Sequence, residues 1–431
     1  MFRIMITTAL AMGIATGAMA QTAGLDHIGA DANAPKQMLF MPNTFYSNSS
    51  GNEGVAAAFQ GAYEAFAAAH PDWYIELQGY DPNNSVEVQK LVEAGFSGDG
   101  PGCVYVDSFR VPFYKNLGLL KDLSPYFSQE DKDDLFPFVR NLVSGPNGEI
   151  FSWWVNTDVR MLYRRTDIIP DAPETWDELK AAARVAKEMG MAGLVVTGAR
   201  NEATTFDWLA HFWAQGGKLL DDQGKPIFGE GENRQKMINA FNLYGSMAAE
   251  GLIPQSVVSF QNQYRDVEAS IINGTAAMSI NGHWGLANVI KGNPDLEGKW
   301  AGSKIPGPEA GMHASGVGGW TIASMSDDEE QQQMCATLIK EVHMDGVIQE
   351  YMKRIPTQKS MFDKVSWGAT PHFTMVKEVL EDGVARPGFA VYPVVSEAIY
   401  TLMADVISGS KTAEKATDEA FKAAMTAFNK L

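Results

Sequence analysis

The chain has 431 residues, of which 45% are hydrophobic and 20% are charged, a composition typical of a globular protein with two or three domains. The formal net charge of −18 at pH 7 argues against nucleic acid and anionic membrane surfaces as partners, because both would repel the chain. Two cysteines are too few for a fold that depends on a disulfide framework.

The first twenty residues predict export. Arg3 supplies a basic start, an apolar run covers 4–15, and Ala18-Met19-Ala20 has the small-x-small pattern of a cleavage site. We therefore predict a signal peptide at 1–20, a leader at 21–36 and a periplasmic location. The apolar run is shorter than the about 20 residues of a membrane anchor. No cysteine follows the cleavage site, so no lipid anchor is expected.

Strand-like and helix-like segments alternate along most of the chain. Strands are predicted at 38–41, 74–77, 103–106, 194–197, 276–280 and 321–323. Helices are predicted at 53–69, 86–96, 111–119, 175–189, 206–215, 235–249, 327–341, 346–353, 394–407 and 412–428. The helix near 175 has a capping-box pattern, Thr175-Trp176-Asp177-Glu178. The alternation indicates an α/β fold with a largely parallel sheet.

The two cysteines are expected to be buried thiols. Cys103 lies in an apolar strand and Cys335 in a predicted helix. Free cysteine behaves as a small hydrophobic residue, although an exported protein could also form a disulfide, which is the alternative.

Motifs for metal binding and catalysis are missing from the sequence. It has no H-E-x-x-H, no C-x-x-C and no histidine pair at helical spacing, so neither a metal nor another cofactor is predicted. G-x-S-x-G is also missing. Paired catalytic carboxylates have no fixed spacing, so an exported carbohydrate-active enzyme remains an alternative.

Aromatic residues beside glycine or asparagine suggest a binding site. The segments are Trp153-Trp154-Val155-Asn156, Gly282-His283-Trp284-Gly285 and Gly318-Gly319-Trp320. Glycine allows close approach of a ligand to the backbone, and a flat indole matches the C–H face of a sugar ring. Nearby amides and carboxylates can bond to hydroxyl groups. Other tryptophans, namely Trp73, Trp176 and Trp213, are expected to fill cores.

The segment 275–284, Thr-Ala-Ala-Met-Ser-Ile-Asn-Gly-His-Trp, resembles the strand-to-helix crossover of family 1 extracellular solute-binding proteins, the maltose-binding-protein-like receptors of ABC sugar importers. The resemblance continues in order through most of the chain, at 100–107, 118–120, 151–164, 206–217, 318–323, 354–357 and 385–387. Two departures lie near the expected cleft. The segment 42–52 is rich in Asn and Ser, and His283 stands where a small residue or proline is usual.

The resemblance implies a two-lobed α/β periplasmic binding protein fold, type II-like, with a ligand cleft between the lobes. It places the N-terminal lobe at 37–155 and 278–325, and the C-terminal lobe at 156–277 and 326–431. The expected function is delivery of a mono- or oligosaccharide, or a sugar alcohol, to an ABC permease and through it to the ATPase. Closure about a hinge would trap the ligand, and a monomer would suffice.

Eleven residues are predicted to bind the ligand. The N-terminal lobe would supply Asn43, Ser47, Asp107, Gly318, Gly319 and Trp320. The C-terminal lobe and the crossings would supply Asn156, Trp208, Trp284, Arg354 and Arg386. A receptor for a polyamine or glycerol phosphate is a further alternative. An anionic ligand would require several cationic side chains, and the matching segments contain only Arg110, Arg160, Arg354 and Arg386.

Overall fold

The computed structural model describes residues 26–29, 32–80 and 85–430. The predicted signal peptide and the first part of the predicted leader lie outside the described residues. The strands are β1 (His27–Ile28), β2 (Lys36–Met41), β3 (Trp73–Leu77), β4 (Cys103–Asp107), β5 (Trp153–Arg165), β6 (Met278–Gly282), β7 (Trp300–Ser303), β8 (Ser315–Ala323), β9 (Ile355–Pro356) and β10 (Gly383–Ala385).

Fifteen α-helices lie within the described residues. They are α1 (Glu53–Ala69), α2 (Ser85–Ser97), α3 (Val111–Asn116), α4 (Gln129–Asp134), α5 (Pro137–Val143), α6 (Trp176–Glu188), α7 (Glu202–Trp213), α8 (Gly231–Ala249), α9 (Tyr264–Ile272), α10 (Gly285–Gly292), α11 (Glu329–Leu338), α12 (Gly346–Met352), α13 (Pro371–Leu380), α14 (Tyr392–Ile407) and α15 (Ala413–Phe428). The predicted capping box of α6 is present, with Thr175 accepting from the backbone N–H of Glu178.

The sheet has the order β1-β3-β2-β4-β8-β5-β6. β2 runs parallel to β3 and β4, whereas β8 is antiparallel to both β4 and β5, and β6 is antiparallel to β5. β10 also runs parallel to β8, but most strand pairs are antiparallel, so the prediction of a largely parallel sheet is wrong outside β2 to β4 and this pair. The pairs that involve β5, and that of β4 with β8, are antiparallel, because β5 and β8 run in opposite directions between two separate hydrophobic cores. The predicted strand 194–197 makes only an isolated bridge, between Val195 and Ser279.

Two lobes surround these cores. The N-terminal core contains Phe40, Tyr105, Trp153 and Ile348, and the C-terminal core contains Trp208 and side chains of α8 and α14. A smaller third core lies between β5, β7 and α13. Three segments connect the lobes, near residues 156–159 of β5, 317–321 of β8 and 353–355. They meet side by side, because Asn156 of β5 pairs with Trp320 on one side and with Pro356 on the other.

The predicted lobe boundaries differ from the packing at two places. Residues 278–314 were expected in the N-terminal lobe, but β6 pairs with Arg160–Arg164 of β5 and Ile280 packs in the C-terminal core. The segment 334–352 was expected in the C-terminal lobe, but its apolar residues belong to the N-terminal core. Both differences arise because the chain crosses between lobes at β8 and again after α12.

Two further expectations are corrected. Cys103 and Cys335 form a disulfide that joins β4 to α11, so the expectation of two free thiols is wrong. The expectation rested on burial, and both cysteines are indeed fully buried. However, the crossing of β8 brings α11 back onto β4, so the two cysteines lie next to each other. The predicted leader contains β1, whose Ile28 is 2% exposed and pairs with β3.

Candidate functional site

A cleft between the lobes contains two adjoining cavities of about 420 Å³ each. They share the side chains of Asp158, Gln263, Tyr264 and Trp320. The aromatic cavity is lined further by Phe45, Tyr46, Asn156, Thr157, Asn262, Arg265, Glu268, His283, Trp284, Asn288 and Arg354. The arginine cavity is lined further by Asp107, Phe109, Arg110, Arg160, Glu202, Ala203, Phe206, Gly319 and Arg386. Both lobes contribute to both cavities.

The crossing strands form the floor of the cleft. β5 and β8 change register between Trp154 and Asn156, and such a bulge bends a strand locally. Trp154 Nε1 donates to the backbone oxygen of Asn156 at 2.6 Å. Gly319 has φ +145°, and a Cβ there would lie 2.1 Å from that same oxygen, so only glycine fits without a shift. The bulge directs Asn156 and Trp320 to the aromatic cavity.

Arg160 is the centre of a buried ion-pair network beside the shared wall. It is 3% exposed, and its Nε donates to Asp207 Oδ1 at 2.6 Å while Nη1 donates to Asp158 Oδ1 at 3.0 Å. Tyr264 also donates its hydroxyl proton to Asp207, at 2.9 Å. Burial raises the pKa of Asp207 to about 6, although Arg160 and the hydroxyl groups of Tyr264 and Thr197 oppose the shift. The network fixes the position of Arg160 in the wall of the arginine cavity.

A second ion pair spans the arginine cavity. Asp107 ends β4 in the N-terminal lobe, and Arg386 follows β10 in the other lobe; Arg386 Nη2 donates to Asp107 Oδ1 at 3.1 Å. Arg386 Nη1 also donates to Glu202 at 3.2 Å. Burial raises the pKa of Asp107, while the nearby Arg386 acts in the opposite direction. The guanidinium of Arg386 lies 4.2 Å from the ring of Phe206.

Aromatic rings from both lobes line the other cavity. Trp284 precedes α10, and its ring lies 5.4 Å from that of Tyr264, edge to face. Tyr46 and Trp320 have ring centroids 6.4 Å apart. The guanidinium of Arg354 lies 5.8 Å from the Tyr46 ring and 5.5 Å from the Trp284 ring, so it connects the aromatic groups of the two lobes.

His283 belongs to the wall of the aromatic cavity but is only 2% exposed. Burial lowers its pKa well below the usual value, and the positive charges of Arg354 and Arg160 act in the same direction. The imidazole is therefore neutral near pH 7. Within the described residues no group of histidine, cysteine and carboxylate side chains is arranged to hold a metal ion.

Most of the predicted ligand-binding residues meet at the cleft. Seven of them line one cavity or both, namely Asp107, Asn156, Trp284, Gly319, Trp320, Arg354 and Arg386. Gly318 lies next to the cleft rather than in its wall, and its N–H donates to Asp158 at 3.2 Å. Asn43 and Ser47 are both 1% exposed and bind backbone N–H groups of Phe45 and Ser49, so the structure places them beneath the wall.

Trp208 does not reach the cleft. It is fully buried in the C-terminal core, packs against the tilted ring of Phe241 with the ring centroids 4.6 Å apart, and donates to the backbone oxygen of Ala240 at 3.0 Å. The reason is that α7 is buried on all sides from Ala203 to Trp213, which leaves this indole no face toward the solvent. The prediction that Trp208 binds the ligand is therefore wrong, and the residue packs in the core instead.

Other wall residues were missed. Phe206 lines the arginine cavity, and Asp207 lies behind the wall and binds Arg160, but the matching segment 206–217 predicts only Trp208 as a ligand contact, because its ring suits sugar stacking. Arg160 appeared only as a candidate for an anionic ligand. Tyr264 follows Gln263, whose φ of +47° is unusual for a residue other than glycine, and no sequence pattern indicated this turn.

Comparisons with known proteins agree with this architecture. Residues 50–339 match the model of the bacterial extracellular solute-binding protein family. A maltooligosaccharide ABC transporter solute-binding lipoprotein of Streptococcus pneumoniae R6 is 21% identical over 293 residues. That alignment covers 65% of this chain and 66% of the relative, just under two thirds of its length.

Solved structures share the fold. Maltose-bound MalE3 of T. maritima has a TM-score of 0.72 at 23% identity, with 90% of this chain and 99% of that chain covered. A solute-binding protein of Agrobacterium radiobacter K84 in complex with ribitol has a TM-score of 0.69 at 20% identity, covering 91% and 98%. The fold is thus that of two-lobed solute-binding proteins. The family model matches more than half of the length of this chain, and the chain therefore belongs to the bacterial extracellular solute-binding protein family.

Proposed function

We propose that this protein is the receptor of an ABC importer that binds a mono- or oligosaccharide or a sugar alcohol. The observation that supports this most is the composition of the cleft, in which Tyr46, Trp284 and Trp320 accompany amide and carboxylate groups from both lobes. Aromatic faces cover the apolar face of a sugar ring, and the polar groups can bind its hydroxyls. The relatives named above bind maltooligosaccharides, maltose or ribitol by their descriptions, which favours the same class.

The proposed mechanism is closure of the two lobes around the ligand. Contacts to both lobes favour the closed form, so the ligand shifts the population without any chemical change. The closed form would then dock on a membrane permease whose ATPase drives import. We propose that the protein acts as a monomer outside the cytoplasm. Within the described residues no helix is long and apolar enough to cross a membrane.

We propose ligand contacts for the residues that line the cavities. Trp320 and Asn156 would bind at the crossing strands, and Trp284 and Arg354 at the outer wall of the aromatic cavity. Asp107 and Arg386 would act in the arginine cavity, where their mutual ion pair also connects the lobes. Gly318 and Gly319 would allow close approach of the strand, and Asn43 and Ser47 would support the wall through their backbone contacts.

A thermal-shift screen of the purified chain against a carbohydrate library tests the proposal. A ligand that binds only the folded state raises apparent stability by RT ln(1 + [L]/Kd), so a binding sugar should raise the melting temperature in proportion to the logarithm of its concentration. Calorimetry should then give a stoichiometry of one. A screen in which polyamines or glycerol phosphate shift the melting temperature and no sugar does would contradict the proposal.

The alternative of a carbohydrate-active enzyme requires a separate test. Two carboxylates of the cavity walls, Asp107 and Asp158, each bind an arginine side chain, so neither stands free as the general acid that glycoside hydrolysis requires. Overnight incubation with each binding sugar, followed by product analysis, should return the sugar unchanged. Release of a shortened or rearranged product would favour the enzyme.

A further inference from the structure

The carboxylates of the arginine cavity are already paired with arginines. Arg386 binds both Asp107 and Glu202, and Arg160 binds Asp158. Each pair is at least partly buried, where an ion pair is screened less than at the surface. These acids therefore have little capacity left to attract a cationic ligand.

The remaining acid of the aromatic cavity is also satisfied. Glu268 is 7% exposed and accepts hydrogen bonds from the side-chain amides of Asn281 and Asn288, at 3.3 and 3.0 Å. Burial raises the pKa of Glu268, while the hydrogen bonds from Asn288 and Asn281 act in the opposite direction. No wall carboxylate among the described residues thus stands without a partner.

Two arginines of the cleft differ from this pattern. Like the exposed Arg265 of the aromatic cavity, Arg354 in the same cavity and Arg110 in the arginine cavity form no ion pair within the described part of the chain; the guanidinium groups of Arg354 and Arg110 lie over aromatic rings. Both are partly buried. The unpaired charge in the cleft is therefore positive, on a chain whose overall charge is −18.

The buried polar atoms of the cavity walls that lack a hydrogen-bond partner support the same conclusion about the ligand. Buried nitrogen atoms without an acceptor include Nε of Arg110, Nε of Arg386 and Nδ2 of Asn156, all of which are donors. A buried donor without an acceptor is costly, so these groups favour a ligand rich in acceptor atoms. A carboxylate offers two acceptor oxygens in the planar geometry that a guanidinium matches.

We propose that the ligand is a sugar that carries a carboxylate, such as a hexuronate or an aldonate, and that Arg354 binds that carboxylate. The inference rests on the proposed function and narrows its ligand class. Tyr46 and Trp284 flank the guanidinium, at 5.8 and 5.5 Å, and so hold it beside the space where a sugar would lie. Asn156 supplies a donor from the crossing strand of the same cavity.

Matched pairs of ligands test this inference. Calorimetry at pH 7.5 compares D-glucuronate with D-glucose, D-galacturonate with D-galactose and D-gluconate with D-sorbitol, and includes maltose, glucose 6-phosphate and spermidine. We expect the acidic member of at least one pair to bind roughly tenfold or more tightly than its neutral partner, because a charge-assisted bidentate contact is added. Its affinity should fall as salt is raised.

Variants assign the effect to Arg354. Arg354→Gln should remove the preference for the acidic member while weak binding of the neutral member persists, and Arg354→Lys should restore part of the preference. Arg184→Gln is the matched control, since Arg184 is exposed on α6, far from the cavity walls, and pairs with Glu250. Thermal melts of the variants without ligand verify folding.

The outcomes separate the inference from the proposed function. Equal or tighter binding of neutral sugars, or an unchanged preference in Arg354→Gln, overturns the carboxylate inference but leaves a sugar receptor. Preference for glucose 6-phosphate over every carboxylate also overturns it, in favour of a phosphorylated sugar. Binding of spermidine alone, or of none of the carbohydrates, contradicts the proposed function as well.

Discussion

Trp284 shows how a single side chain is fixed at the cleft. Its ring is approached by the guanidinium groups of Arg160 and Arg354, at 5.0 and 5.5 Å, and by the edge of Tyr264. A Cβ on Gly282 would lie 2.3 Å from the indole, so this glycine allows the ring to fold back over the turn. The contacts orient Trp284 before any ligand arrives, which reduces the entropic cost of binding.

Replacing Trp284 should affect binding more than folding. Trp284→Ala removes a partly exposed ring of the cavity wall, and we expect a loss of roughly 1–3 kcal/mol in binding free energy, as for a central aromatic anchor. The free energy of unfolding without ligand should change less. Calorimetry with a binding sugar and urea denaturation without it measure the two quantities.

Trp208→Ala is the matched comparison. Its ring is fully buried, so its loss should reduce stability by about 3–5 kcal/mol. Binding by the fraction that remains folded should be nearly unchanged. If Trp284→Ala instead lowered stability strongly and left affinity unchanged, Trp284 would be a packing residue and the sugar-stacking argument would fail.

For single residues, the sequence predicted the chemical type of the side chains at the site better than it predicted which of them are exposed to the cleft. Trp320 follows Gly319, and Trp284 lies between His283 and Gly285, two residues after Gly282; these local glycine patterns were enough to place both rings near the cleft. Trp208 has the same side chain, but its burial depends on α8 and α14 packing around α7, which no local pattern specifies. Asp207 was overlooked for a similar reason, since its partner Arg160 is distant in sequence.

Among the elements, α11 and α12 are held by contacts distant in sequence. Cys335 of α11 is bonded to Cys103 of β4, and α12 packs against α1. Helix boundaries such as those of α1 and α6 were well predicted, because Asn52 and Thr175 cap them locally. The lobe to which α11 belongs could not be predicted, because it depends on the path of β8 between the cores.

Loss of the disulfide should destabilise the protein without changing its ligand. Cys103→Ala/Cys335→Ala removes a link across 232 residues, and a cross-link of that kind contributes about 2–5 kcal/mol through the entropy of the unfolded chain. Alanine avoids burying a hydroxyl at two fully buried positions. Urea denaturation of the variant, and of the wild type with and without reductant, measures the effect.

The affinity of the disulfide variant provides the control. Neither cysteine lines the cavities, so the dissociation constant for a binding sugar should stay the same at a temperature where the variant is folded. An unfolding free energy equal to that of the oxidised wild type would show that the link adds nothing to stability.

For the whole molecule, buried histidines connect stability to pH. Burial lowers the pKa of His343 to about 3 and that of His211 to about 4. His343 is surrounded by Tyr105, Phe40 and Phe59, without a charged group. Since the unfolded histidine has a pKa near 6.5, the unfolded state binds more protons below that pH, and stability falls as the pH decreases toward the folded pKa.

His343→Gln isolates one of these contributions. From pH 7 to pH 5 each such histidine should cost roughly 2 kcal/mol of stability, whereas Asp207, with its raised pKa, acts in the opposite direction. The variant should therefore lose about 2 kcal/mol less than the wild type over this range, whatever its absolute stability. Urea denaturation at both pH values measures the difference, and parallel pH profiles would contradict a neutral buried His343.

The crossing segments determine how the lobes can move. All three lie side by side at Asn156, where β5 pairs with β8 and β9, and the bulge of β5 lies at the same point. A bend there moves the lobes as units, because each has its own packed core. The cavities lie directly over this point, so a small rotation would change the distance between their walls.

We expect ligand to compact the molecule. Small-angle scattering of the purified chain should show a smaller radius of gyration at a saturating concentration of a sugar whose binding calorimetry has established, because contacts to both lobes favour the closed form. Trp320→Ala, which removes a ring shared by both cavities, should require a higher sugar concentration for the same change. An unchanged scattering curve with the site saturated would contradict closure, since a ligand can shift a conformational equilibrium only by its difference in affinity for the two forms.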